Sequence, residues 1–197
     1  MYRLLFAAIL LAFTSFKPLD CTYDYLFPLQ HGITKFEAKN RMNTMSDYQF
    51  YLDVGQQVTY DINKSSCIQL GKYNSIFMYF ADDKLYDYTI SLRYTLSDYT
   101  KMMTVYNEIL KTLQQHPIYK FAVPDSAWAA DTHELVGVGY KFQKSKIETK
   151  EQFEKPDELK IFYQYEKGYN GMPDFYWLTI SSFNLTVTNK TIYNYRN

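Results

Sequence analysis

From Ile76 to Gln115 the chain writes strand, turn, strand and helix without a break, and any fold it adopts must carry those elements in that order. Across Lys84 to Tyr94 the apolar residues Tyr86, Tyr88, Ile90, Leu92 and Tyr94 take every second position, with Asp87, Thr89, Ser91 and Arg93 between them. A period of two puts one set on a buried face and the other on a polar face, the pattern of a half-buried strand. The preceding run, Ile76-Phe77-Met78-Tyr79-Phe80, is apolar throughout and predicts a strand covered on both faces. Asp82-Asp83 predicts the hairpin turn between them, because short carboxylates tolerate turn dihedrals and hydrogen-bond their own backbone. Ser97 then stands as a helix cap with Asp98 in the first turn. Apolar residues recur at spacings of three and four, predicting a face of Tyr99, Met103, Tyr106 and Leu110 until Pro117 stops the helix.

The flanking sequence extends the same alternation. Tyr48 to Val54 and Gln57 to Ile62 read as short strands around Gly55. Pro124-Asp125-Ser126 reads as a turn. In Leu135 to Phe142 one face carries Val136, Val138, Tyr140 and Phe142, while the other carries Gly137 and Gly139, positions that admit a neighbouring aromatic ring or mark a bulge. Leu159 to Tyr165 and Phe175 to Val187 are the last strands, joined through Gly168 to Pro173. A change of apolar phase predicts a bulge near Ser181-Ser182. Together these features predict an α+β fold: an antiparallel sheet of several strands with one long helix, Ser97 to Gln115, and one short helix, Lys35 to Met45, on one face. At 197 residues, with no linker or sequence repeat, residues 20–197 are expected to form one domain.

Residues 1–14, a basic start followed by an apolar run from Leu4 to Phe13, have the pattern of a signal peptide and are too short to span a bilayer. The expected location is secreted or periplasmic, with no membrane span in the mature chain. Formal charge is balanced at 21 basic and 21 acidic residues, and losing Arg3 leaves 20 against 21, so neither nucleic acid nor an anionic membrane surface is implied as partner. Pro18-Leu19-Asp20 before Cys21 lacks the small residue of a lipid-attachment box.

Export gives the two cysteines a meaning, because an oxidising compartment makes a Cys21–Cys67 disulfide plausible on composition, with two unpaired thiols as the alternative. The bond would close a loop of about 47 residues and stabilise by about 4 kcal/mol on the chain-entropy model.

Gly32-Ile33-Thr34-Lys35-Phe36-Glu37 is a capped helix start with Thr34 and Glu37 at capping-box spacing. With the later aromatic strand, the Asp-Asp-Lys-Leu-Tyr turn and the capped helix, the stretch Gly32 to Leu113 resembles uncharacterised exported bacterial α+β domains. More distantly it is similar to the small outer-membrane assembly lipoproteins of the SmpA/OmlA type. The resemblance implies a fold and an envelope location, and no residue roles.

Chemistry is sparsely signalled. Asp131-Thr132-His133-Glu134 could present a carboxylate and an imidazole side by side, which makes a hydrolase using Asp131, His133 and Glu134 the alternative reading. No nucleophile elbow, phosphate loop or metal-ligand spacing is present, so no cofactor or metal is expected. The aromatic load of 21 Tyr and 14 Phe points instead to a non-enzymatic protein that binds an envelope protein, peptide or glycan through a Tyr-rich surface. Tyr169, in a loop of turn formers, with Tyr176 and Trp177 beside it, is the candidate binding set.

If Cys21 and Cys67 pair, thiol alkylation of unreduced exported protein leaves its intact mass unchanged. Two alkyl adducts per chain would refute the bond.

Overall fold

The computed structural model describes residues 26–128, 135–144, 157–168, 171 and 173–184, with the backbone alone at 120–128, 135, 136 and 144. The elements run α1 (Lys35–Thr44), β1 (Tyr48–Val54), β2 (Gln57–Ile62), β3 (Tyr73–Ala81), β4 (Lys84–Thr95), α2 (Tyr99–Gln114), β5 (Tyr119–Trp128), β6 (Leu135–Lys144), β7 (Glu158–Glu166) and β8 (Phe175–Phe183). All eight strands form one sheet in the order β1-β2-β3-β4-β8-β7-β6-β5, and every neighbouring pair is antiparallel. The fold is α+β, as the patterning predicts.

The strand order makes the described elements a helix followed by a four-stranded meander, twice over, with the meanders joined where β4 pairs with β8. Ile90 pairs with Ile180 within that seam, next to its middle pair, and taking these two as equivalent matches residues equally far from them in the two halves. On the polar face those positions hold unlike side chains, Arg93 against Phe183 and Trp177 against Asp87, which hides the repeat from sequence inspection.

Local chemistry accounts for the element starts. Thr34 Oγ1 accepts from the Glu37 N–H at 3.2 Å, and Glu37 Oε2 accepts from the Thr34 N–H at 2.8 Å, closing the expected capping box on α1. Asp82 and Asp83 both adopt positive φ, 48° and 62°, the conformation that a two-residue hairpin turn with the right twist requires.

The start of α2 differs from expectation. β4 runs on to Thr95 and a 3-10 turn spans Leu96–Asp98, so Ser97 is not the cap. Thr95 Oγ1 lies 2.9 Å from Ser97 Oγ and donates to Asp98 Oδ2 at 2.8 Å, so these side chains satisfy one another instead of the helix N–H groups.

A row of buried residues crosses the sheet through Tyr60, Ile76, Ile90, Ile180 and Ile161, register partners on successive strands. Tyr106 of α2 meets Tyr163 of β7 edge-on, with ring centroids 5.0 Å apart, and Tyr99 meets Tyr176 of β8 at 5.0 Å. On α1, Asn43 Oδ1 accepts from the Tyr60 hydroxyl at 2.8 Å.

The buried face of α2 is Met102, Val105, Tyr106, Ile109 and Leu113, rotated from the predicted one. Tyr99 is 41% exposed, while Met103 and Leu110 pack only partly against the core. The apolar stripe is wider than the contact, and spacing alone does not say which part of it faces the sheet.

Three further expectations are corrected. Pro124 lies inside β5 and not in a turn, which an edge strand tolerates because one side of it needs no ladder donor. β8 keeps unbroken register with both neighbours through Ser181 and Ser182, so no bulge is present there. Ser182 fills a core position because His31 Nε2, itself buried, lies 3.1 Å from its carbonyl oxygen and 3.3 Å from its hydroxyl. Finally, Phe77 and Tyr79 are only half-buried, so β3 is fully covered on one face alone.

Gly137 and Gly139 act as predicted. A Cβ at either would stand 2.6 Å from the Phe162 ring, which lies across both.

Ile109→Ala should lower stability by about 2–5 kcal/mol, as truncation of a buried aliphatic does, and Leu110→Ala should cost clearly less. Urea denaturation midpoints of the two variants test this, and equal losses would contradict the observed face.

Candidate functional site

The alternate residues of β4, Asp87, Thr89, Ser91 and Arg93, fall on the face opposite the buried row, beside Trp177, Thr179 and Ser181 of β8. A groove of about 430 Å³ is sunk into this polar face near the Arg93 end. Its floor and walls come from β2, β3, β4 and β8, among them Asp61, Ser75, Phe77, Ser91, Arg93 and Trp177, with Tyr51 of β1 and Lys72, just before β3, beside them.

Arg93 lines the groove. Its guanidinium carbon lies 3.8 Å from the Trp177 ring centroid, 5.5 Å from Phe175 and 6.0 Å from Tyr73, a cage in which the cation faces aromatic quadrupoles. No carboxylate among the described residues pairs with it. Lys72 stands beside it, its ammonium 5.5 Å from the Tyr73 ring. The one acidic residue lining the groove, Asp61, accepts from Ser75 Oγ at 3.1 Å. The Trp177 indole Nε1 is buried and donates to no group among the described residues.

The backbone fixes this arrangement through a close approach. Lys72 N–H donates to the Arg93 carbonyl at 2.7 Å, and a Cβ on Gly71 would lie 2.3 Å from that same oxygen, so only glycine fits there. From the other face of β4, the Tyr94 hydroxyl donates to the Gln69 carbonyl at 2.6 Å and ties down the same segment. Lys72 and Tyr73 are thereby held against Arg93.

A second hollow, about 300 Å³, lies at the other end of the polar face and is lined by Asp87, Glu158, Lys160, Ser181 and Phe183. Burial pushes the Asp87 carboxyl above its usual range, against hydrogen bonds from Thr89 Oγ1, at 3.2 Å, and from the Tyr88 backbone that favour its charged form.

Trp177 and Tyr176, adjacent in sequence, point to opposite faces of the sheet, as any neighbours on a strand must. Trp177 lines the groove, whereas Tyr176 is packed between Tyr99 and Tyr165, so the two do not share a surface. Tyr169 lies outside the described residues. The ends of its loop are tied together, since Asp174 accepts from the Tyr165 hydroxyl at 2.6 Å and from Gly168 N–H at 2.8 Å.

Asp131, His133 and Glu134 also lie outside the described residues, as do residues 1–14 and Cys21. Cys67 is buried at the edge of the core. Among the described residues no group of three His, Cys, Asp or Glu is placed to hold a metal ion, and no helix is long and apolar enough to cross a membrane.

Sequence reading missed Arg93, Lys72 and Tyr73. The usable signal was the pair of polar stripes, Asp87-Thr89-Ser91-Arg93 and Trp177-Thr179-Ser181, and reading them as one surface needs the β4–β8 pairing.

Asp87 supplies a pH test. A carboxyl whose folded pKa is raised costs nothing while protonated and opposes folding increasingly as pH rises from its unfolded value, about 3.9, through the folded one. Asp87→Asn should therefore melt higher than the parent at pH 7, with the difference gone near about pH 3. Paired thermal scans at the two pH values check this, and a variant that melts lower at pH 7 refutes it.

No family model, curated protein or solved structure matches the chain.

Proposed function

We propose that this is an exported, non-enzymatic protein that holds a protein, peptide or glycan partner on the polar face of its sheet. The observation that carries this reading is the Arg93 groove: a cation caged by three aromatic rings, with no carboxylate partner among the described residues, in a concavity lined with hydroxyl groups. Binding pockets combine aromatic walls with a few placed polar or charged groups, which is the composition found here. We further infer that α1 and α2 cover the same face. Asn43 of α1 meets Tyr60, Tyr106 of α2 meets Tyr163, and Tyr60 and Tyr163 project from the side of the sheet that carries Ile90. That arrangement leaves the opposite face for a partner. Export and the Cys21–Cys67 bond belong to the same proposal and rest on the sequence.

Arrays of immobilised peptides and glycans probed with the full chain test the reading. A defined set of ligands should bind, and Tyr73→Ala, which removes a ring 53% exposed at the groove, should lose them. Phe36→Ala, which removes a ring 72% exposed on α1, should keep them. An unchanged set with Tyr73→Ala at unchanged stability refutes the polar face as the binding surface.

A further inference from the structure

We propose that the groove takes an acidic saccharide, with a ligand carboxylate received by Arg93 and Lys72. This deepens the binding reading above and rests on it. The charge argument comes first. Three charged side chains line the groove, Arg93, Lys72 and Asp61, so its balance is one positive charge, and Asp61 already accepts from Ser75. The guanidinium lies over the Trp177 ring and has no hydrogen-bond or carboxylate partner among the described residues, so its in-plane N–H fork suits a carboxylate with two parallel hydrogen bonds.

The backbone decides between a sugar and a peptide. Extended peptides are commonly captured by adding a strand to an open sheet edge, where main-chain groups are free. The groove instead lies mainly on the face of β2, β3, β4 and β8, interior strands with a hydrogen-bonded neighbour on each side, and takes only the Tyr51 side chain from the edge strand β1. Recognition there is by side chains alone. Those side chains are the flat rings of Tyr51, Tyr73 and Phe77, set among the hydroxyls of Thr59, Ser75 and Ser91. A pyranose has an apolar face and a rim of hydroxyls, and a uronate adds the carboxylate that Arg93 lacks. Tyr51 is 65% exposed at the outer lip, where a second sugar unit would stack.

Titration calorimetry of the full chain with tetragalacturonate tests the inference, with its fully methyl-esterified form, tetraglutamate and inorganic phosphate as comparison probes. The acid form should bind at least about tenfold more tightly than the ester, the margin of one charge-assisted pair, and should weaken as salt is raised. Arg93→Ala and Arg93→Lys should each lose about that factor, because lysine keeps the charge without the fork or the stack. Lys72→Ala, at an exposed position that the fold does not depend on, should weaken binding less, and Phe36→Ala should leave it unchanged. Equal affinity for acid and ester, or no binding of either, overturns the proposal, and tetraglutamate or phosphate binding as tightly as tetragalacturonate overturns the saccharide assignment. Array ligands that depend on Tyr73 but not on Arg93 would leave the binding face standing and remove only the acidic subsite.

Discussion

The pairing of β4 with β8 is the contact on which the other features depend. Each half of the chain folds as a meander that ends on an unpaired strand, and joining the two closes both of those edges through nine residue pairs from Asp87–Phe183 to Thr95–Phe175. The buried row is continuous only across this seam, and α2 touches β4, β5, β7 and β8, so its apolar face is satisfied by both halves together. Arg93 comes from one side of the seam and Trp177 from the other. The groove is therefore a product of tertiary assembly and cannot exist in either half alone.

This explains which parts of the structure were legible in the sequence. Hairpin β3–β4, the capping box at Thr34 and the ring-admitting glycines depend on contacts close in sequence or on a strict period of two, and all three were readable. Strand order, the rotation of α2 and the continuation of β5 through Pro124 depend on which elements meet, which periodicity does not encode. The candidate site shows the same division. Trp177 was identifiable as an aromatic beside a turn-rich loop. Arg93 looked like one more solvated residue on the polar side of a strand, because its aromatic cage is contributed by β3 and β8.

The architectural repeat has been put to unequal use. Counting equal distances from Ile90 and Ile180, Arg93 corresponds to Phe183, Trp177 to Asp87 and Tyr73 to Glu158. One end of the polar face thus holds a caged guanidinium, and the equivalent end holds two carboxylates with Lys160. Similar backbone positions support opposite electrostatic environments because the core-facing row, not the polar face, carries the packing that stabilises the sheet. Substitution on the polar face leaves that row intact.

An open eight-stranded sheet has two edges, and each is a template on which another copy could add a strand. β1 carries exposed Phe50, Tyr51, Leu52 and Val54, a composition that invites such growth, yet its register slips between Phe50 and Leu52. β5 contains Pro124, which removes a backbone donor, and its register shifts at two further points, between Phe121 and Val123 and between Ala127 and Trp128. Neither border offers a long straight ladder. Irregular borders of this kind resist strand addition, which leaves the exposed aromatic residues of the sheet available on a face and not along a growing end.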